Sequence, residues 1–198
     1  MIISNQMNPF LIFLSACLIN NIILIKFIGL CSFFGLSTNV KNSIGMGIAV
    51  TFVTITATIV SWLVYHFALV PLNLVYLRTA TFILTIASLV QLEEMFIKKY
   101  LPPLYKAMGI YLPLITTNCA ILASTFLNID YNLSLLNSIV NGFGIASGYT
   151  IAIIIFANLR EKILTAPVPK SLEGYPIAFF LASLMSLAFL GFKGLFGL

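Results

Sequence analysis

The chain has 198 residues, of which 61% are hydrophobic and only 8% charged, with a mean hydropathy of +1.10. Soluble domains carry about a quarter charged residues, so this balance excludes an ordinary soluble domain and predicts an all-α integral membrane protein. The formal charge of +5 comes from scattered basic residues with no run longer than Lys98-Lys99, which reads as topogenic charge beside a membrane and not as a nucleic-acid surface.

A membrane-crossing helix needs about 20 mostly apolar residues, and six such stretches follow one another with short polar joints between them, giving one membrane domain over 1–198. The first covers 8–36. No Lys or Arg precedes it, and Asn20, Asn21 and Lys26 interrupt it, which argues for a span and against a signal peptide. It is too long for one straight span, and Asn20, Asn21, Lys26, Gly29 and Gly35 weaken its middle, so a broken or re-entrant helix is predicted. Lysine at membrane depth is costly unless it snorkels or meets an anion. Lys26 is therefore read as snorkelling to the cytoplasmic face, with compensation of negative charge near Cys31 as the sharper alternative.

The second span, about 43–66, closes on Trp62, Tyr65 and His66, residues that suit an interfacial belt. The third, about 77–97, ends in QLEEMFIKKY, where Glu93 and Glu94 precede Lys98 and Lys99 at helical offsets. That end is read as solvated, an ion-path entrance being the alternative. The fourth, about 104–127, contains GIYLPLITTNC from Gly109 to Cys119. Pro113 removes a backbone donor and clashes one turn back, so the helix breaks or kinks there. Within a bilayer such a break is tolerated only where protein or a cavity satisfies the freed groups. The fifth span, about 137–158, opens on NGFGIASGYTIAI, and a basic loop from Arg160 to Glu173 leads to the sixth, about 176–195, rich in small residues.

Lys26, Lys41, Lys98, Lys99, Lys106, Arg160, Lys162 and Lys170 lie near the joints after spans one, three and five, with only Arg78 and Lys193 opposite. Eight against two places the odd joints in the cytoplasm and both termini on the periplasmic side of a bacterial inner membrane. KNSIGMGIA from Lys41 and NSIVNGFGIA from Asn137 each open the second span of a three-span half, the halves being about 8–97 and 104–195. An odd number of spans per half makes the repeat inverted, with irregular first helices meeting at the midplane. Cys31 and Cys119 become symmetry mates near that axis. Three readings stay open for them: two unrelated packing cysteines, a disulfide, or a metal or iron-sulfur site whose other ligands come from a second protein, since such clusters take four. Cys17 has no counterpart and is read as packing.

GLCSFFGLS, GMGIAVTFV, PLNLVYLRT, PLYKAMGIYLPLITTNCAIL and LMSLAFLGFKGL together resemble the A subunits of Rnf electron-transport complexes. The E subunit of the sodium-pumping NADH:quinone reductase belongs to the same superfamily and is the alternative. The resemblance covers nearly the whole chain; Ser32 stands where proline is expected. It implies that Cys31 and Cys119 hold half of an intramembrane [2Fe-2S] cluster. A homologous six-span protein of opposite orientation would supply two further cysteines, and the other Rnf subunits (B, C, D and G) and membrane lipid would complete the surroundings. It also implies a relay without a substrate site in a ferredoxin:NAD oxidoreductase complex that moves Na+ or H+. Lys26, Gly29, Thr116, Thr117 and Asn118 are the expected cluster surroundings, offering charge, close approach or hydrogen bonds. Outside the resemblance, the rival readings are a secondary transporter and a redox-free structural subunit.

Overall fold

Where the first apolar stretch reaches Asn20 and Asn21, the helix stops. The computed structural model describes residues 8–37, 39–71, 75–100, 118–164, 169 and 174–191. Helix α1 (Pro9–Leu14) widens into a π-helical turn, Ser15–Ile19, and the chain then crosses a non-helical segment before α2 (Leu30–Leu36) begins. The broken first span expected from the sequence is thus present. Next come α3 (Val40–Val64), extended by a π-helical turn over Tyr65–Leu69, α4 (Arg78–Tyr100), α5 (Cys119–Asp130), α6 (Leu135–Leu164) and α7 (Tyr175–Leu190).

Three of these helices are long and apolar enough to cross a membrane: Val40–Leu69, Arg78–Phe96 and Leu135–Ile163. Pro9–Ile19, Cys119–Asp130 and Tyr175–Leu190 are shorter apolar helices. Phe10, Phe52, Phe67, Leu84, Phe96, Phe180 and Leu187 stand on the outer surface, as in a bundle whose solvent is hydrocarbon. Arg160, expected in a loop, lies within α6, which continues to Leu164 because its apolar face still has α2 to cover. There Arg160 Nη1 donates to Phe34 O (3.0 Å) and Ser37 Oγ (3.1 Å), closing the open carbonyl end of α2. Phe33 stacks on Phe156 of α6 at 4.3 Å, and Phe34 lies 4.4 Å from Phe179 of α7.

The long helices α3 and α6 form the spine of the bundle, and small residues let them meet. A Cβ on Gly47 would fall 2.4 Å from Thr150 Cγ2, and one on Gly148 would fall 2.5 Å from Cys17 O. In hydrocarbon, with no hydrophobic force between helices, such close backbone approach is the main source of helix association. Cys17 is buried in that contact, as the packing reading expects.

Glu93 departs from the sequence reading. It is 8% exposed and turns into the bundle, where Thr56 Oγ1 of α3 donates to its Oε1. Its helical phase on α4 points it at α3, whereas Leu92, Met95 and Phe96 face outward. The solvated helix end expected there is therefore wrong for Glu93.

Candidate metal centre

The break in the first span is built by one side chain. Asn21, 1% exposed, donates from Nδ2 to Cys17 O (3.2 Å) and Gly148 O (3.0 Å) and accepts at Oδ1 from Ile23 N (3.1 Å) and Leu24 N (3.4 Å). The Leu24 carbonyl receives Ser186 Oγ of α7 at 2.6 Å. Backbone groups freed by the break are thereby paired inside protein, the condition for irregular backbone in a membrane. The segment ends on Gly29, whose φ of +92° is left-handed and suits only glycine well.

Gly29 brings the two predicted cysteines together. Its N–H donates to Cys119 Sγ at 3.1 Å, and a Cβ there would sit 3.1 Å from Ala120 Cβ, so the start of α2 presses on the start of α5. Cys31 and Cys119 are both exposed, and Gly29, two residues before Cys31, is the point at which their helices meet. Asn118 caps α5 by accepting the Ala120 N–H at 3.1 Å. Its Nδ2, on a side chain 3% exposed, makes no hydrogen bond to any described residue. Among the described residues no third His, Cys, Asp or Glu completes a ligand group.

Of the other residues expected here, Thr116 and Thr117 lie outside the described residues, as does Gly109. Lys26 points elsewhere. It lines a small cavity with Ala16, Asn20, Leu127, Tyr131, Asn141 and Ile145, and Leu127 is eight residues, about 12 Å, along α5 from Cys119. This is the end of α5 where Asp130 pairs with Arg78 at 2.9 Å. Phe27 at φ +55° and Gly29 at φ +92° turn the chain between Lys26 and Cys31, and Lys26 lines its cavity beside Leu127, away from Cys119 at the start of α5.

Tyr149, not singled out from the sequence, and Ser32, noted there only as replacing an expected proline, complete the surroundings. The Tyr149 hydroxyl of α6 hydrogen-bonds Ser32 Oγ at 2.8 Å, and Ser32 Oγ reaches Gly29 O at 3.0 Å. Asn118 Oδ1 and Tyr149 Cε2 both border Gly29, 3.6 Å and 3.7 Å from where a Cβ would stand. A tyrosine deep inside an apolar span, away from the interfacial belt, is the signal by which it could have been found.

Comparison with known proteins places residues 9–196 in a match to the family described as Rnf-Nqr subunit, membrane protein. The chain is 53% identical over 184 residues to the A subunit of the proton-translocating ferredoxin:NAD(+) oxidoreductase complex of Clostridium ljungdahlii, covering 93% of this chain and 95% of that one. It is 51% identical over 184 residues to the A subunit of the Na(+)-translocating ferredoxin:NAD(+) oxidoreductase complex of Acetobacterium woodii, covering 93% and 96%. With the A subunit of the ion-translocating oxidoreductase complex of an Azoarcus species it shares 50% over 185 residues, again 93% and 96%.

Proposed function

Because this chain belongs to the Rnf-Nqr family of membrane subunits, we propose that it is the A subunit of an ion-translocating ferredoxin:NAD oxidoreductase complex and carries half of an intramembrane [2Fe-2S] site. The observation behind this reading is the pairing of two exposed thiols, one from each half of the chain, at the starts of two helices. The residues present fit half a cluster. Two soft donors face outward, the Gly29 N–H already aims at the Cys119 sulfur, and Asn118 Nδ2 is a buried donor still lacking a partner among the described residues. Four thiolates are needed, so the other two would come from a homologous six-span protein of opposite orientation.

When bound, such a cluster supplies a one-electron carrier inside the membrane. This chain's own residues prepare the place for it. Cys31 and Cys119 bind as thiolates, each giving up its proton. The Gly29 N–H and the start of α5 direct positive potential at sulfur, and buried Phe33, Ile121 and Tyr149 keep water from the inner side. No substrate site is assigned to the chain.

In this reading the chain divides into two inverted halves, about 8–97 and 104–195, with Cys31 in the first and Cys119 in the second. Moving Lys26 to the Arg78 end changes the charge count from eight against two to seven against three. The odd joints remain cytoplasmic and both termini periplasmic in a bacterial inner membrane. The coupled ion is Na+ or H+. A route for it through this chain is favoured by Glu93, since an ionisable residue inside a span is a functional candidate by default. Glu93→Gln in the assembled complex should then leave electron transfer intact and depress ion movement; equal retention of both would close that route.

The test of the relay is electron paramagnetic resonance with iron analysis on the dithionite-reduced complex, comparing the parent with Cys31→Ser and Cys119→Ser. Loss of one [2Fe-2S] signal in both variants, with every subunit still present, is the expected result. Retention of all signals would return the cysteines to packing.

A further inference from the structure

We infer that Tyr149 is a positioning residue for the paired cysteines, its hydroxyl holding the end of the break in the first span through Ser32 and so setting how the Gly29 N–H meets Cys119. The inference deepens the cluster reading above and rests on it.

Adjacent residues of α6 grip both ends of the first break. Gly148 O receives Asn21 where the break begins, and Tyr149 meets Ser32 just after it ends. Tyr149 is 1% exposed, and a buried phenol needs a partner for its hydroxyl. Directions follow from the acceptors. Ser32 Oγ has one proton, and Gly29 O, 3.0 Å away, can only accept it. Tyr149 therefore donates to Ser32, and Ser32 donates to Gly29 O. Gly29 in turn donates its N–H to Cys119 Sγ. A single run of hydrogen bonds thus leads from α6, through the end of the break in the first span, to the cysteine at the start of α5.

The Tyr149 ring packs on Gly29 as well, with Cε2 3.7 Å from where a Cβ would stand. Proline at position 32 would lack the hydroxyl on which this run depends, so the serine there makes the arrangement particular to chains that carry it.

Hydrogen bonds to sulfur favour the more negative, reduced cluster and so raise its potential. Removing the phenol hydroxyl frees Ser32 and Gly29 to move, which should lengthen the N–H contact to Cys119 and lower the potential. The experiment is a redox titration of the paramagnetic signal in intact complex carrying Tyr149→Phe, Ser32→Ala or both, the signal being identified by its loss in Cys31→Ser. Expected are parental iron content, a shift to lower potential in each single variant, and a shift in the double variant no larger than in the singles, because both changes break one run. A parental potential in both single variants, or additive shifts, overturns the inference.

A second readout needs no cluster. In complex stripped of iron by a chelator, copper-phenanthroline oxidation should link Cys31 to Cys119, read as a disulfide-joined peptide pair, severalfold more slowly in Tyr149→Phe than in the parent. Equal rates overturn the positioning role. If Cys31→Ser leaves every iron-sulfur signal in place, the cluster reading fails, and the cross-linking rate still decides whether Tyr149 sets the thiol geometry.

Discussion

Asn21 shows how one buried amide can stand in for a turn of helix. Its two N–H groups and one oxygen meet four backbone groups, two of them in the broken segment itself. Each buried group left without a partner costs about 1–3 kcal/mol, so Asn21→Leu should lower the stability of the complex by at least that amount, whereas Asn21→Asp should retain the acceptor contacts and lose those to Cys17 and Gly148. Thermal unfolding in detergent, followed on this chain, gives the comparison. At the start of α5 Asn118 has a different task. Its oxygen caps α5 while its nitrogen is left unpaired, so Asn118→Leu should remove both the cap and a donor near sulfur. We expect a shifted midpoint potential with the cluster retained; an unchanged potential would leave Asn118 as a helix cap alone.

At the scale of elements, α6 is the helix on which the broken segments are assembled. Gly144 and Gly148 lie one turn apart and admit Phe13, Ala16 and Cys17 at distances no side chain would allow. Gly148→Val should therefore cost about 1–3 kcal/mol or more as the π-helical turn is pushed away, and it should weaken cofactor retention through Asn21. The break itself was legible in the sequence, because Asn20, Asn21 and Gly29 are poor residues for a continuous apolar helix. So was the nearness of Cys31 and Cys119, which the two glycine-containing repeats predict and the Gly29 contacts with Cys119 and Ala120 provide. The π-helical turn was not legible, since its shape answers to Gly148, far away in sequence. Tyr149 escaped notice for the same reason: its partner Ser32 belongs to the other half of the chain. Glu93 was misplaced because two acids before two lysines resemble a solvated helix end, and only the phase of α4 against α3 reveals that one turns inward. Thr56→Val should accordingly cost about 1–3 kcal/mol by leaving buried Glu93 Oε1 without its partner, while Glu93→Gln, which keeps a partner for Thr56, should cost less.

For the whole molecule the decisive variable is which end faces which compartment. Two independent features mark the ends. One end collects Arg78, Asp130, Tyr131 and Lys26, together with the cavity of about 310 Å³ between Trp62, Tyr65, His66 and the 129–134 joint. Trp62 stacks on His66 at 4.7 Å and donates to Leu133 O, as an interfacial aromatic pair would. The other end carries Lys41, Lys98, Lys99, Arg160 and Lys162. Because charge bias and not net charge sets orientation, the second end should be cytoplasmic, and the position of Lys26 weakens that bias without reversing it. Asn132→Cys, in the joint between α5 and α6, should react with a membrane-impermeant maleimide applied to cells whose outer barrier has been opened and whose inner membrane is intact. Lys162→Cys should react only after the inner membrane is permeabilised. The opposite pattern would invert the chain, and with it the face from which electrons reach the paired cysteines, while leaving the geometry of Gly29, Cys31 and Cys119 as it stands.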